Sequence, residues 1–598
     1  MTIVPLKKVT LCGHFPEKKA ILEGLQALGC MHLLPLRITP VEIEKVVSPH
    51  ADAAYKALRF LAAVPDKRRQ VMRAPDFDVD RFVAEVAALR QALRDASDRR
   101  DFLKHRIAAI EPWGDILFPP RQTLAGYRLW FYILPLRKLA ALKTVDYPWQ
   151  IVGKSHRAAY VVLVSEMEPP DDVLPVPRTH TGALPLSELC RQLEEVEIEI
   201  EDLRAQRQAL TRYIHLLSAN LAEAENHASL ASAEQQTYDS DALVTLQGWV
   251  PEGSVDDVRA YAEKMQLACL IEDPGAQETP PTLLDQPDDM QAGVDLAMFY
   301  QVPGYRGWDP TRLLIPSFSI FFAMILADGG YGLVLLAGLL MFWRRLGRGA
   351  KGGAYRLLGL MMAGCSVLYG VLIGSYFGVG PPEGSVLDRL SVLRIDDFDT
   401  MMRVSIVCGV LHIGIANAMN AYANRRRPVA LAGLGWIGVL AGGMVLWLAA
   451  PDSARHTAGL GLIVSGLLLV FFFSSERVVR KPLDYVLRAV DGLMSLTGLM
   501  GAFGDVLSYM RLFALGLAGA SLAITFNDLA KGVHESLPGV GVLAAFLILA
   551  AGHLLNLGLS IVSGVVHGLR LNFIEFYKWG LPEEGKAFRK FARKEPEL

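Results

Sequence analysis

Apolar positions change their spacing along this chain, and each spacing predicts a different element. From Phe82 they fall at Phe82, Val86, Leu89, Leu93 and Ala96 and, after Arg100, at Leu103, Ile107 and Ile110. That alternation of four and three is the seam of a coiled coil. It resumes at Leu186, Leu189, Leu193, Val196, Ile200 and Leu203 and, after Arg207, at Leu210, Ile214, Leu217 and Leu221. Two such helices, over about 80–111 and 186–225, are most simply one antiparallel pair around a compact unit; two independent amphipathic helices on a core are the alternative. The outer-face acids Glu194, Glu195, Glu197, Glu199, Glu201 and Asp202 need be no more than solvated surface.

Shorter patterns flank the heptads. Lys7 to Cys12 reads as a strand, Pro16 to Leu28 as a helix and Cys30 to Leu34 as a strand, an opening α/β unit without a nucleotide loop. Tyr127 to Leu134 and Ala158 to Ser165 form a strand-rich patch between the heptad segments. Leu243 to Val250 and Ala268 to Glu272, with a helix between them, close a second α/β unit. The expected soluble part, residues 1–290, is two α/β lobes joined by a coiled-coil shaft. Its end is marked by Asp273 to Asp289, rich in proline and acid, where Pro280 and Pro281 stop any helix; 291–311 then serve as linker.

From 312 to 578 the chain is one apolar span after another. Spans are expected at about 356–379, 402–423, 430–450, 457–474, 501–526 and 541–578, with a cytoplasmic tail over 579–598. The first apolar run, Leu313 to Phe342, is interrupted at its midpoint by Asp328, Gly329 and Gly330 and reads as a hairpin of two short segments, making about eight helices. As continuous helix, the last span would run to roughly 55 Å against a hydrocarbon core of about 30 Å, so it must tilt or project.

Composition and charge sharpen this picture. The averages of 52% hydrophobic and 20% charged residues conceal a charge-rich first half and an apolar second half, and a net charge of -2 points to no nucleic-acid partner. Six scattered cysteines, with no CxxC pair, read as reduced packed thiols. The start MTIVPLKKVTL lacks the apolar core and cleavage site of a signal peptide, so the N-terminal half is expected in the cytoplasm. Basic residues cluster at 343–356, in NRRRP (424–428), in ERVVRKP and on to Arg488, and after Lys578. The loops GPPEGSVLDRLSVLRIDDFD, PDSARH and NDLAKGVHESLPG are acidic or nearly neutral. The positive-inside rule puts the basic set and both termini inside, which the hairpin makes self-consistent.

The candidate chemistry lies in the last two spans. Arg511 sits within an apolar segment, where a cation costs a few kcal/mol on insertion scales and so either ties helices together or serves a function. Asp505, six positions away, lies on another helical face and is a poor partner within the helix. His553, Asn556, Ser560, His567, Arg570, Asn572 and Glu575 are polar groups that must face protein or a water-filled cavity. Arg570 is near enough to the cytoplasmic end to snorkel. GLGWIG (433–438) fits GxGxxG but lies inside a span, where its glycines allow close helix packing. GLPEEGKA (580–587) resembles a P-loop but has Ala587 in place of the magnesium-binding hydroxyl and Glu583 and Glu584 facing the phosphate.

The strings LSYMRLFALGLAGA (507–520), GHLLNLGLSIVSGVVHGLRLNFIEFYKWG (552–580) and DPTRLLIPSFSIFFAMILADGGYGL (309–333) resemble the membrane stator subunit of V/A-type rotary ATPases, called subunit a or subunit I. LYGVLIGSYFG, LQGWVP and PPTLLDQP match weaker signatures. The resemblance spans essentially the whole chain. It implies a mainly α fold: a cytoplasmic arm of two α/β lobes and a coiled coil, then a polytopic membrane domain ending in two long tilted helices. It further implies that Arg511 is the essential stator arginine, that Arg570 is the second, and that Asp505, Ser508, His553, Asn556, Ser560, His567 and Glu575 are half-channel candidates. Implied partners are a rotor ring of small subunits of the c/K/L type, peripheral stalks of the E/G type, the central stalk and catalytic head, and the lipid bilayer of a prokaryotic inner membrane. No cofactor, metal or ATP site is expected in this chain, and the coupling ion, a proton or sodium, would be held by the rotor. The chain departs from the family at Gly519 and Ser560, where eukaryotic members carry a histidine and a glutamate, and in KAFRKF, which lacks the usual proline of a PF signature. A secondary transporter using Arg511 for an anionic substrate is the competing class, without the paired repeats expected of one. A coiled-coil membrane receptor would give the buried arginines no role.

Overall fold

The computed structural model describes the chain except residues 1, 37–48, 116–125, 171–172, 180–183, 350, 394–396, 451–452, 478, 538, 540 and 597–598. Met1 and those parts of the charge-assigned loops and tail therefore lie outside the described residues. The chain divides into two compact units, one of Met1–Leu36 with Gln236–Ala592, the other of Arg37–Gln235 with Arg593–Leu598.

The first unit opens with β1 (Leu6–His14), α1 (Lys18–Leu28) and β2 (His32–Leu34). The second contains α2 (Pro49–Ala62), α3 (Val79–Ile110), β3 (Arg128–Pro135), β4 (Trp149–Lys154), β5 (Ala158–Ser165), β6 (Arg178–Thr179), α4 (Leu186–Leu210) and α5 (Ile214–Gln236). Asp78 caps α3 by accepting the Arg81 N–H. The heptad positions Ala96, Leu103 and Ile110 bury against Leu189, Val196 and Ile200 with α3 and α4 antiparallel. The flanking pairs Arg99–Glu199 and Lys104–Glu197 are half-exposed, so each contributes about 0–1 kcal/mol and the apolar seam carries the association. The second helix is not continuous over 186–225: a 3₁₀ turn at Thr211–Tyr213 separates α4 from α5, and Thr211, fully buried, turns its hydroxyl to Gln208 O at 2.6 Å and accepts the Arg68 N–H. Beyond the turn, α2, α3 and α5 share a core of Leu61, Phe82, Val86, Leu217 and Leu221. The sheet β4-β5-β3-β6 is wholly antiparallel over Trp130, Leu134, Val161 and Leu163.

The strands before and after the heptad segments share one sheet and do not close separate α/β units. β7 (Tyr238–Asp239), β8 (Leu243–Pro251) and β9 (Ala268–Glu272), with α6 (Val255–Lys264), join β1 and β2 in one antiparallel sheet of order β2-β8-β1-β9. Leu6 pairs with Pro251 and Lys8 with both Trp249 and Glu272, a closure across some 240 residues that no local pattern announces.

The C-terminal tail docks on this sheet and on the segment following it through main-chain bonds. Thr282 donates its N–H to Lys586 O, Phe588 to Thr282 O, Phe591 to Met31 O, and Arg589 to His32 Nδ1 at 2.8 Å. That last bond needs an unprotonated Nδ1. Burial, with Arg589 and Lys586 close by, holds the His32 pKa below 6.5. The undocked state therefore binds more protons, and docking is strongest above the ordinary histidine pKa and weakens as pH falls through it toward the depressed value. Amide-exchange protection at Arg589 and Phe591, measured relative to the intrinsic rate at each pH, is expected to be high at pH 8 and to fall as pH falls below the ordinary histidine pKa, whereas a His32→Gln variant, whose amide oxygen can still accept, loses that pH dependence.

The rest of the first unit begins with α7 (Gln291–Tyr300), inside the 291–311 stretch, whose Ala292, Gly293 and Ala297 are buried. Then come α8 (Thr311–Leu326), α9 (Gly329–Met341), α10 (Trp343–Leu346), α11 (Gly352–Ile373), α12 (Val386–Leu390), α13 (Phe398–Ala423), α14 (Val429–Leu448), α15 (Ala454–Phe473), α16 (Pro482–Leu496), α17 (Gly498–Leu507), α18 (Met510–Ser536), α19 (Gly541–Arg570) and α20 (Tyr577–Gly580). Among the described residues, six segments are long and apolar enough to cross a membrane: α11, α13, α14, α15, the run from Pro482 to Ser536, and Gly541–Gly580; α8 and α9 are shorter apolar helices.

α8 and α9 form the hairpin that the Asp-Gly-Gly interruption predicts. Ile315 near the start of α8 packs on Ala354 and Leu358 of α11, while Gly329 at the start of α9 lies on Gly370, so α8 runs along α11 and α9 runs back. A Cβ on Gly370 would stand 2.0 Å from the Gly329 nitrogen, which is why Gly370 tolerates only hydrogen. Asp328, 4% exposed, is saturated at the tip: it accepts from the Tyr331, Phe377 and Gly378 N–H groups and from Ser375 Oγ, at 2.8–3.0 Å. The glycines of GLGWIG act in packing, with Gly435 on α14 lying against Gly466 O of α15.

Candidate functional site

Arg511 follows a break in its helix. Between α17 and α18 the backbone tightens to three-residue bonds, Tyr509 N to Val506 O, Arg511 N to Ser508 O and Leu512 N to Tyr509 O. Tyr509 is fully buried and locks the break by filling the space beside Gly409 of α13, where a Cβ would come within 2.7 Å of its ring. Its hydroxyl lies 2.7 Å from His412 Nδ1, and the His412 ring stacks on Phe576 at 4.3 Å and meets Phe321 edge-on.

Phe576 closes a second irregularity. After Arg570 the helix widens to a π segment, Leu571–Phe576, before resuming as α20. Such segments reorient side chains by inserting a residue per turn. Here Asn572 and Glu575 turn into the protein, at 0% and 2% exposure. Asn572 donates to Gly568 O and accepts from Ser317 Oγ at 2.6 Å, next to Pro316 inside α8. Ser508, Arg511 and Arg570 act on the Glu575 carboxyl, while Arg511 and Arg570 also act on each other and on His567. Among the described residues, Arg511 Nη1, Glu575 Oε2, His567 Nδ1 and His412 Nε2 are buried without a hydrogen-bond partner. The arrangement sets two permanent cations against one carboxyl and leaves a net positive charge next to an unpaired guanidinium nitrogen.

A second polar group lies further toward the start of α19. Asn556 donates to Gly519 O at 2.8 Å and to Tyr331 Oη at 3.0 Å; Tyr331 Oη lies 2.8 Å from His553 Nδ1, and His553 Nε2 lies 3.0 Å from Asn527 Oδ1. Asn527 in turn donates to Phe377 O beside Asp328. Ser560, buried, faces Gly519, where a Cβ would stand 3.3 Å from its Oγ. The 14 residues from His553 to His567 separate the two groups by about 21 Å along the helix.

The sequence candidates thus divide. Arg511, Ser508, His567, Arg570 and Glu575 come together; His553 and Asn556 belong to the second group, with Ser560 beside it. Asp505 is engaged elsewhere, accepting from Lys578 Nζ and Trp579 Nε1 at 2.7 and 2.8 Å. His412, Tyr509, Tyr331 and Asn527 were missed. His412 carried the same signal as the residues noted in the last span, a polar side chain inside an apolar run. Among the described residues no group of three or more His, Cys, Asp or Glu side chains is placed to hold a metal ion.

Comparison with known proteins bears on the whole chain. "V-type ATP synthase subunit I 1" of Treponema pallidum is 28% identical over 96% of this chain and 97% of its own length. "V-type ATP synthase subunit I" of Borreliella burgdorferi is 24% identical over 99% of both. The chain is a homologue of V/A-type ATP synthase subunit I. The "A-type ATP synthase subunit I" of Methanocaldococcus jannaschii is 27% identical over 68% of the chain and 63% of its own length. No family model matches. A solved cytoplasmic N-terminal domain of subunit I, homolog of subunit a, of V-ATPase aligns with 44% of this chain and 99% of itself at 16% identity and a TM-score of 0.24. The chain is thus similar over nearly its whole length to proteins named subunit I of V/A-type ATP synthases, and its described residues include apolar helices long enough to cross a membrane.

Proposed function

We propose that this chain is the ion-translocating stator subunit of a V/A-type rotary ATPase, in which Arg511 meets the carboxylates of a turning rotor ring. The observation that carries this reading is the Arg511 guanidinium, held at a helix break with one buried nitrogen unpaired and a local excess of positive charge. An arriving rotor carboxylate, carrying a proton or sodium, finds there a cation that cannot deprotonate; pairing with it favours the ionised carboxylate and releases the ion. The face of α18 suits such a visitor, because Ala514, Ala518, Ser521 and Thr525 are exposed at helical spacing from Arg511 and let another helix approach closely.

The two polar groups supply the half-channels. Ser508, His567 and Glu575 serve the one at the level of Arg511, with Arg570 as the second cation; His553, Asn556 and Ser560, joined by Tyr331 and Asn527, serve the other. Their offset along α19 keeps ions from crossing except by riding the ring past Arg511. Asp505 holds α20 through Lys578 and Trp579 instead of conducting. Residues 1–290 act as the arm that binds peripheral stalks and takes the torque, 291–311 connect it to the translocating part over 312–578, and the tail over 579–598 stays on the cytoplasmic side with the N-terminus. ATP is made or hydrolysed on other subunits.

The orientation has a direct test. Single cysteines at Gly349 and Val392, in a vesicle-embedded complex, are expected to label with a membrane-impermeant maleimide from opposite sides, Gly349 from the cytoplasm. Labelling of both from one side defeats the topology on which the two half-channels rest. Co-purification with a rotor ring and a catalytic head separates this reading from the secondary-transporter class, which requires neither.

A further inference from the structure

A cavity of about 800 Å³ opens where the α13–α14 loop meets the segment after β9 and the start of the tail, all within the first unit. Its walls carry Arg306, Arg425, Arg426 and Arg427, and Trp308 and Leu581 supply apolar surface. The arginines are anchored differently. Arg427 pairs with Glu476 at 3.7 Å, Arg306 donates to Gly275 O at 2.6 Å, and Arg425 lies over the Tyr422 ring while reaching Tyr422 O. Arg426 has no hydrogen-bond or ion-pair partner among the described residues. Of the acids on the walls, Glu476 is taken by Arg427 and Glu278 by Lys8, leaving Glu583 against three cations not engaged by an acid.

The loop itself is fixed. Arg427 N donates to Asn424 O at 2.7 Å, and Asn424 is tied back to Asn420, so the guanidinium groups project from a tight turn. That turn caps two membrane-length helices, which places it at headgroup depth, and α14 begins at Val429 on the cavity wall, adding the positive end of a helix dipole. Excess cations, a helix N-terminus and an apolar flank at one depth match a phosphodiester attached to acyl chains.

We propose that this cavity is a binding site for the phosphate headgroup of an anionic phospholipid, held by Arg425 and Arg426. The chemistry is that of a phosphate anion, and the membrane depth assigns its source to lipid. Gly580 and Leu581 on the wall make the bound headgroup a neighbour of the end of α19–α20.

The test uses the intact purified complex and a photoactivatable phosphatidylglycerol, with labelling of the peptide containing 420–430 read by mass spectrometry. Wild type is expected to label with phosphatidylglycerol and not with the matching phosphatidylcholine probe. Arg425→Gln/Arg426→Gln, both exposed side chains, should bind about 30-fold more weakly, whereas Arg344→Gln/Arg345→Gln on another basic loop should bind as wild type does. Millimolar inorganic phosphate should leave labelling unchanged. Equal labelling by the two lipids, unchanged labelling of the 425/426 variant, or equal loss in the 344/345 variant overturns the site; displacement by phosphate overturns its assignment to lipid. Circular dichroism and subunit stoichiometry of each variant show that loss of labelling is not loss of fold.

Discussion

Arg511→Lys complexes are expected to assemble with all subunits, retain ATP hydrolysis and fail to drive ion transport. If Arg511 only tied helices together, lysine would preserve part of the function, since it keeps the charge and a similar reach. The site asks for more than charge. Arg511 is poised at a helix break beside Arg570, His567 and Glu575, with one nitrogen left to donate. A planar, permanently charged fork can balance Glu575 through space and present an edge to a visiting carboxylate; an ammonium offers a single point, and the neighbouring cations favour loss of its proton. Truncating one member of a desolvated charged pair costs roughly 2–5 kcal/mol, so coupled transport should fall by at least about 30-fold in Arg511→Lys and to background in Arg511→Ala. Arg570→Lys should keep most of the activity, because Arg570 is exposed and its charge can be supplied by a more flexible group. Proton or sodium uptake into vesicles, normalised to ATP hydrolysed, measures the effect. Near wild-type pumping by assembled Arg511→Lys would rule out the mechanism and leave Arg511 as a tie between helices.

What the chain reveals without its structure follows the range of the forces involved. Heptads are local, and α3 spans Val79–Ile110 where their spacing begins and ends. The hairpin was legible because a carboxylate and two glycines inside an apolar run can only be a turn whose polar atoms are satisfied nearby, as Asp328 is by Tyr331 and the 375–378 loop. Arg511 and Arg570 stood out because lipid makes charge expensive. Closure of β1 on β8 and β9 depends on contacts across more than 200 residues and on no residue pattern within either strand. The break before Arg511 and the π segment after Arg570 were hidden for another reason. Neither contains proline or any other helix breaker; one is enforced by Tyr509 seating beside Gly409, the other by the inward turn of Asn572 and Glu575. Those irregularities bring the candidate groups together, so the sequence named most of the members without showing their arrangement.

Removing the carboxyl at 575 tests that arrangement directly. With Glu575 intact, the local charge is two cations against one anion; Glu575→Ala leaves the half-buried Arg511 beside the exposed Arg570 with no counter-charge. Removing a buried carboxyl that balances two nearby cations leaves their charge uncompensated, a cost that stays below the roughly 3–5 kcal/mol of a fully buried, contacting ion pair. Glu575→Ala is therefore expected to lower the temperature at which the subunit leaves the purified complex and to reduce the assembled fraction. Arg570→Ala alone should cost little, since that side chain reaches solvent or headgroups. The double variant is the informative one: removing Arg570 as well takes away the repulsion that Glu575 had balanced, so stability should recover by roughly 1–3 kcal/mol relative to the sum of the single changes. Additive single and double changes would mean that Glu575 and Arg570 do not interact, and would dissolve the charged cluster around Arg511. Glu575→Gln separates folding from conduction, because it preserves shape and an acceptor for Ser508 while giving up the titratable group. If Glu575 passes ions to the site, that variant assembles and loses transport; if it is only the counter-charge, assembly suffers first and the complexes that survive still pump.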